Sequence, residues 1–195
     1  MNPDSIVKMS ISDIPNELLS KYYTRLYTIE SDLYKDINRE LRGKEIDKYK
    51  IFIKILYEGI KLKCLPLASN NILYRGSKIS NDEIIKIKEY LKNKKKDLPG
   101  AIVFSKSFLS FSKDKDIAEK NLNKKNVNEN LSKVLYIIEK DDKIDYSLST
   151  HSDIENISMY QEEREVLFFP FSSFEIKDIN EKIYNNEKIC EIKLL

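Results

Sequence analysis

Five polar residues occupy positions where a strand would ordinarily carry apolar side chains: Arg75, Ser110, Ser112, Glu163 and Glu165. An arginine can bind phosphate oxygens through two charge-assisted hydrogen bonds. Paired hydroxyls can orient a ribose or a carboxylate, and a carboxylate can stabilise a developing positive charge or accept a proton. Taken singly, each position is equally compatible with an ordinary strand end, a half-exposed strand or a solvated strand edge.

Arg75 lies between the short apolar run 72–74 and Gly76. We expect this run to be a buried strand from whose end the guanidinium emerges. Because glycine has no Cβ, the adjacent backbone would be open to a close approach. This arrangement suits a phosphate group.

The two serines and the two glutamates are each separated by one residue. Side chains two residues apart point to the same face of a strand. We therefore expect Ser110 and Ser112 to share a face while their apolar neighbours enter the core. By the same period, Glu163 and Glu165 should lie on one side of a strand that continues into 166–169.

Several other kinds of site are excluded by the residue types available. His151 is the one histidine, and it lies in a polar, loop-like stretch, whereas a Ser-His-Asp arrangement needs an imidazole beside a base partner. The four glycines cannot form a Gly-rich phosphate loop. Cys64 and Cys190 are far apart and outside any Cys-x-x-Cys pair, so we interpret both as reduced and expect no metal site.

The elements that must position these residues begin with a helical region over the first 65 residues. Apolar residues recur there at spacings of three and four, which predicts helices. The apolar stripes are Leu18, Tyr22 and Leu26, then Leu33, Ile37 and Leu41, then Tyr49, Phe52, Ile53, Leu56 and Ile60.

From residue 71 the pattern changes to short apolar or alternating runs typical of strands. A capping box at 80–83 predicts a helix through Leu91, 114–121 predicts a short helix, and 122–130 an exposed loop. The predicted strands are 72–74, 101–104, 108–112, 134–138, 166–169, 174–176 and 189–194. Helices followed by short strands indicate an α+β domain.

The composition places limits on the class of protein. A chain of 195 residues can bury one ordinary core, so we expect a single domain. Its 34 basic and 32 acidic residues are interspersed, which favours neither nucleic acid nor membrane binding. We interpret the lysine run 92–96 as a solvated helix end. The N-terminus has no signal-peptide pattern, so we expect a cytoplasmic protein, or one exported without a cleaved signal.

Taken in order, three segments resemble the mono-ADP-ribosyltransferases of the arginine, serine, glutamate type. They are Leu73-Tyr74-Arg75-Gly76, then Ser107 through Asp114, then Glu163 through Phe168. The resemblance extends upstream to Tyr27-Thr28 and to 34–42, which look like the family's helical lead-in, and downstream over 170–176. The family's usual Ser-Thr-Ser appears here as Ser110-Phe111-Ser112, which keeps the same-face serines and lacks the middle hydroxyl.

The resemblance implies one ADP-ribosyltransferase domain over residues 1–195, with a helical lead-in over 1–67 and a sheet core over 68–195. In such a domain the helical third packs on two short sheets of mixed and antiparallel strands that form an NAD cleft. NAD is then expected as the co-substrate, with no metal. The expected partner is a target protein, and the enzyme is expected to be a monomer.

The resemblance also implies a role for each candidate residue. Arg75 would bind the NAD phosphates, and the other NAD-binding residues would be Tyr74, Gly76, Ser110 and Ser112. The catalytic residues would be Glu165, Glu163 and Ser110. Residues 148–164 would form the acceptor loop, with Tyr160 and Glu163 recognising the target. In this family a glutamate two positions before the catalytic one accompanies arginine acceptors, so an arginine is expected.

Two alternatives remain open at this point. The same scaffold could support an NAD glycohydrolase, in which water takes the place of the acceptor. The chain could also be a catalytically idle binding module that contacts a partner through its helical third or through the lysine run 92–96.

Overall fold

The computed structural model describes residues 15–29, 31–43, 48–62, 72–94, 100–123, 130–139, 150–184 and 187–195. The helices in these ranges are α1 (Asn16–Thr28), α2 (Asp32–Arg42), α3 (Lys50–Leu62), α4 (Asn81–Asn93) and α5 (Lys115–Leu122). The strands are β1 (Leu73–Ser80), β2 (Ala101–Phe104), β3 (Leu109–Ser112), β4 (Leu131–Ile138), β5 (His151–Asp153), β6 (Glu165–Phe168), β7 (Ser173–Tyr184) and β8 (Glu187–Leu194).

The strands form one sheet in the order β2-β7-β8-β4-β1-β3-β6-β5. Only β4 and β8 run parallel among the described pairs, and the α+β class is confirmed. The sheet differs from the two short sheets expected, because β1 and β3 are joined at the residue pair Tyr74 and Ser112. A five-stranded part and a three-stranded part therefore meet at one narrow junction.

Strand β1 is longer than the predicted run 72–74. It pairs with β4 from Leu73 opposite Ile138 to Ser80 opposite Leu131, so the ladder continues through the polar residues. Arg75 consequently lies inside a strand, and the expectation that it emerges at a strand end is wrong.

Helices α1 to α3 pack on the three-stranded part of the sheet. The buried residues of this cluster are Tyr27, Ile37, Leu41, Leu56, Ile60, Phe108, Ile154, Leu167 and Phe169. The predicted stripes of α2 and α3 face this cluster. The stripe predicted for α1 does not, because Leu18 and Tyr22 are 58% and 59% exposed while Thr24 and Tyr27 are buried. The inward face of α1 is rotated from the one that apolarity alone selects.

The predicted capping box begins α4. The backbone N–H of Glu83 donates to the Ser80 hydroxyl, and the Glu83 carboxylate accepts from the Ser80 backbone N–H. The helix ends at Asn93 and Lys94 follows it, so two residues of the lysine run 92–96 lie outside the described residues.

The hairpin of β7 and β8 was only partly predicted, because most residues of 177–184 are polar and exposed, with Ile179 and Tyr184 only partly buried against the core. Its charged face is paired across the hairpin, for example between Lys182 Nζ and Glu191 Oε2 at 2.5 Å. Cys190 on β8 is a buried free thiol, and Cys64 lies outside the described residues.

His151 begins β5 and is buried, so its expected place in a polar loop is wrong. Its ring packs against Phe168 with 4.9 Å between centroids, and burial lowers the pKa of the imidazole to about 4. It is a neutral core histidine over most of the pH range.

None of the helices that the structure describes is long and apolar enough to cross a membrane. Within the same residues, no cluster of three or more His, Cys, Asp or Glu side chains could hold a metal ion.

Candidate active site

A pocket of about 330 Å³ opens beside the junction of the two sheet parts. All eight residues that the sequence predicts for the site line it: Tyr74, Arg75, Gly76, Ser110, Ser112, Tyr160, Glu163 and Glu165. They come from β1, β3, β6 and the segment before β6, so residues up to 91 positions apart in the chain converge through the order of the strands.

Arg75 is held by the neighbouring strand. Its Nη1 donates to the backbone carbonyl of Ser110 at 2.7 Å, which ties β1 to β3 next to their junction. Burial lowers the pKa of the guanidinium from its ordinary value, but Tyr136, Tyr27 and Glu165 favour its charge. Because a guanidinium has five N–H donors, donors remain for an anionic ligand.

Glu165 is the first residue of β6 and is 6% exposed. Burial raises the pKa of its carboxyl to about 7, with Glu163 acting in the same direction, while a hydrogen bond from Ser110 and the charge of Arg75 oppose the rise. A buried carboxylate in an otherwise polar pocket carries a negative charge that little water screens.

Ser110 and Ser112 are both on β3 and both line the pocket, as the strand period predicts. They differ in what they bind. Ser110 hydrogen-bonds the Glu165 side chain. The Ser112 hydroxyl donates to the backbone carbonyl of Glu163 at 2.7 Å and accepts from the backbone N–H of Asp114 at 2.8 Å, so its proton already has a partner within the protein.

The prediction that Glu163 and Glu165 share one strand is wrong. Glu163 ends a 3-10 turn over Gln161–Glu163, and Arg164 then adopts a left-handed conformation with φ of 47°. The backbone N–H of Arg164 donates to Gln161 at 3.0 Å, so a turn replaces the ladder there. Both carboxylates nevertheless line the pocket, and Glu163 lies close enough to raise the pKa of Glu165.

The described part of the predicted acceptor loop runs from 150 to 164. Tyr160 precedes the 3-10 turn, lines the pocket and donates its backbone N–H to the Ser158 hydroxyl at 3.1 Å. Met159 ties the loop to α1, because its backbone N–H donates to Thr28 Oγ1 at 3.0 Å. One side of the pocket mouth is thus built by the loop and the end of a helix.

Three similar solved structures are bacterial proteins. Vis from Vibrio splendidus is 18% identical in sequence and superposes with a TM-score of 0.64. The match covers 90% of this chain and 74% of the Vis chain. HopU1 of Pseudomonas syringae matches with a TM-score of 0.60, at 16% identity and 76% of its chain, and Plx2a from Paenibacillus larvae with 0.58, at 18% and 84%. Each is an ADP-ribosyltransferase by name. The fold is that of the ADP-ribosyltransferases. No family model and no curated protein matches the sequence.

Within this ADP-ribosyltransferase fold, Gly76 has a packing reason to be glycine. A Cβ at this position would lie 2.0 Å from the backbone oxygen of Ala118 and 3.0 Å from Leu122 Cγ. Helix α5 therefore rests directly on the β1 backbone, and Tyr74 packs beside the same residues. The missing Cβ makes room for a helix, whereas the sequence suggested room for a ligand.

The helical third of the ADP-ribosyltransferase fold supplies pocket residues that the sequence did not single out. Tyr27, Tyr34 and Asn38 line the pocket opposite β1. Asn38 Nδ2 donates to the Tyr27 hydroxyl at 2.9 Å, while Asn38 Oδ1 is buried and has no hydrogen-bond partner among the described residues. The signal available in the sequence was a polar residue four positions after Tyr34, beside the apolar stripe of α2.

Proposed function

We propose that this chain transfers ADP-ribose from NAD to an arginine side chain of a target protein, releasing nicotinamide. The observation that carries the proposal is the buried Glu165 carboxylate, which is hydrogen-bonded by Ser110 inside an open pocket that also contains Arg75. Such a pocket offers a guanidinium for a dianionic pyrophosphate and a carboxylate for a cation.

NAD carries a pyrophosphate that suits the guanidinium of Arg75. In the proposed complex the remaining guanidinium donors of Arg75 bind the pyrophosphate, where each charge-assisted hydrogen bond contributes about 1.5–3 kcal/mol. Tyr74, Gly76, Ser110 and Ser112 line the path of the dinucleotide, and the orphan Oδ1 of Asn38 is an acceptor for a ligand N–H or O–H. The similar Exoenzyme S from Pseudomonas aeruginosa was solved bound to Carba-NAD.

Glu165 would act as the bond between ribose C1′ and the nicotinamide nitrogen breaks. Nicotinamide leaves as a neutral molecule, and the ribose acquires oxocarbenium character that a nearby carboxylate stabilises. At about 4 Å and an effective dielectric near 20, this attraction amounts to about 4 kcal/mol. That is roughly a thousandfold in rate if the interaction forms only in the transition state.

Two features support arginine as the acceptor. Glu163 and Glu165 place two carboxylates in the pocket, which attract a guanidinium. Glu163 would align the acceptor and remove its proton as the new C1′–N bond forms. One of the similar structures, Vis, was solved with agmatine, a small molecule that carries the guanidinium group of arginine.

We further propose that residues 1–195 act as one domain, with 1–67 as a helical lead-in and 68–195 as the sheet core.

Vis and Plx2a are toxins by name. We therefore propose that this chain is an exported effector that modifies a protein of another organism.

Labelled NAD and agmatine test the proposal. We expect label in nicotinamide and in ADP-ribosyl-agmatine. Glu163→Gln should lose transfer to agmatine about tenfold or more while still hydrolysing NAD, because it removes the acceptor's base and leaves Glu165 in place. The matched control is Glu162→Gln, which changes an exposed carboxylate of the same turn and should behave as the parent.

The outcomes separate the competing functions. Label that appears only in free ADP-ribose, with neither agmatine nor any protein of a lysate marked, identifies an NAD glycohydrolase. A parent protein that releases no nicotinamide under these conditions overturns both enzymatic functions.

A further inference from the structure

Lys113 directly follows the pocket-lining strand β3, and its own side chain contacts the start of segment 154–164 and does not line the pocket. Its Nζ lies 2.6 Å from Asp153 Oδ2 and 2.6 Å from Glu155 Oε2, and the side chain is only 8% exposed. Burial opposes the lysine charge, but the hydrogen bonds that the ammonium donates to both carboxylates outweigh it and raise the pKa of the ammonium. Lys113 therefore stays charged between two acidic partners.

Lys113 contacts both ends of the segment 154–164, which contains the candidate acceptor residues: its side chain binds the start and its backbone the end. Asp153 and Glu155 flank its start. At its end, the backbone N–H of Lys113 donates to the backbone carbonyl of Arg164 at 3.1 Å. Arg164 Nε also lies 3.8 Å from Glu155 Oε1. One residue thus holds both the entry and the exit of the segment.

The backbone at the exit needs such support. Arg164 is a non-glycine residue in the left-handed region, a conformation that persists only where its surroundings stabilise it. The next residue along the chain in each direction is a pocket carboxylate, Glu163 or Glu165. The shape of this turn therefore sets where Glu163 lies relative to Glu165.

We propose that Lys113 is a positioning residue for acceptor recognition: by bridging Asp153 and Glu155 it holds segment 154–164 so that Glu163 faces the acceptor. This inference rests on the proposed function. Without the ammonium, the two carboxylates would repel each other and the start of the segment would lose its anchor, while the backbone hydrogen bond to Arg164 at its end would remain.

The test replaces the charge with an apolar chain of similar length, in Lys113→Met. Amide hydrogen exchange within 154–164 should become about tenfold faster, because local opening of the segment becomes easier, while exchange in β4 stays unchanged. Transfer to agmatine should fall about tenfold relative to NAD hydrolysis, because a small displacement of an aligning group is costly.

Two further variants separate positioning from general stability. Lys113→Arg keeps the bridge and should restore most of the transfer-to-hydrolysis ratio. Lys115→Met removes the neighbouring lysine, whose partners are Tyr184 and Glu119, and should leave both the exchange in 154–164 and the ratio unchanged. Thermal unfolding of each variant reports whether it folds.

The proposal is overturned if Lys113→Met leaves exchange and ratio as in the parent, or if transfer and hydrolysis fall together. Should Lys113→Met fail to fold, Lys113→Gln provides the same comparison with a polar chain. A parent that releases no nicotinamide defeats the proposed function, and exchange then decides by itself whether Lys113 holds the segment.

Discussion

The two walls of the candidate pocket are held by different interactions. The wall formed by Arg75, Ser110 and Glu165 belongs to strands, and backbone ladders and the apolar core fix it. The wall formed by Tyr160 and Glu163 belongs to a turn that side-chain hydrogen bonds and ion pairs hold in shape. We expect the strand wall to support the reaction step that is common to all acceptors. We expect the turn to determine which acceptor binds, because a turn can change in sequence without disturbing the core.

The largest expected effect tests the strand wall. Glu165→Gln should lower nicotinamide release about a thousandfold, because it removes the charge that stabilises the oxocarbenium ion. Release of labelled nicotinamide from NAD measures this, with the fold checked by circular dichroism. A rate within threefold of the parent would contradict the assignment of Glu165.

The pH dependence tests the same residue in two ways. With a folded pKa of about 7, Glu165 is half charged at neutral pH and mostly charged above it, so nicotinamide release should rise as pH increases through 7. Glu163→Gln should move this midpoint to lower pH, because the Glu163 charge raises the pKa of Glu165. Glu162→Gln should leave the midpoint where it is.

The free energy of unfolding should fall as pH rises, whereas the rate of nicotinamide release should increase. A pKa raised above the ordinary 4.5 means that the folded state binds the proton more tightly than the unfolded state does. The contribution of this tighter proton binding to the free energy of unfolding is fully present below pH 4.5. It is lost as pH rises through 7, to a total of about 3 kcal/mol. Glu165→Gln should therefore unfold at the same temperature as the parent at pH 4 and at a higher temperature at pH 8.

Arg75→Lys tests whether NAD binding at the strand wall requires a guanidinium. The charge is kept, but the bidentate geometry and the bond to the Ser110 carbonyl are weakened. The KM for NAD should rise about 10–100-fold, with a smaller change in kcat. An unchanged KM would place the pyrophosphate elsewhere.

The smallest effect concerns packing behind the strand wall. Gly76→Ala would place a Cβ 2.0 Å from a backbone oxygen of α5, so the helix must move, and the free energy of unfolding should fall by about 1–3 kcal/mol. Urea unfolding measures this. Gly43→Ala is the control, because Gly43 is exposed and has a φ of −71° that alanine tolerates.

The contrast between the walls also explains what could be predicted from the sequence. Strand positions were predictable because apolar neighbours mark them, and the two-residue period correctly placed Ser110 and Ser112 on one face. The same period failed at Glu163, because a left-handed Arg164 carries no compositional signal. The prediction of the buried face of α1 was wrong for a related reason, because that face contains the polar Thr24 and leaves the apolar Leu18 exposed.

Pocket residues from the helical third were missed because they depend on long-range packing. Asn38 meets Tyr27 only when α1 and α2 fold together against the sheet. Gly76 was interpreted as space for a ligand, and only the position of α5 shows that the space of a Cβ there is filled by protein, while Gly76 itself still lines the pocket.

The burial of Glu165 has a consequence for how such a chain evolves. A buried carboxylate that destabilises the folded protein at neutral pH is expected to persist only while selection requires its chemistry, because a neutral replacement of similar shape removes the destabilising charge. A lineage that abandoned catalysis would be expected to lose Glu165 early and to keep Gly76, which the architecture itself demands. The presence of both in one chain agrees with the function proposed for it.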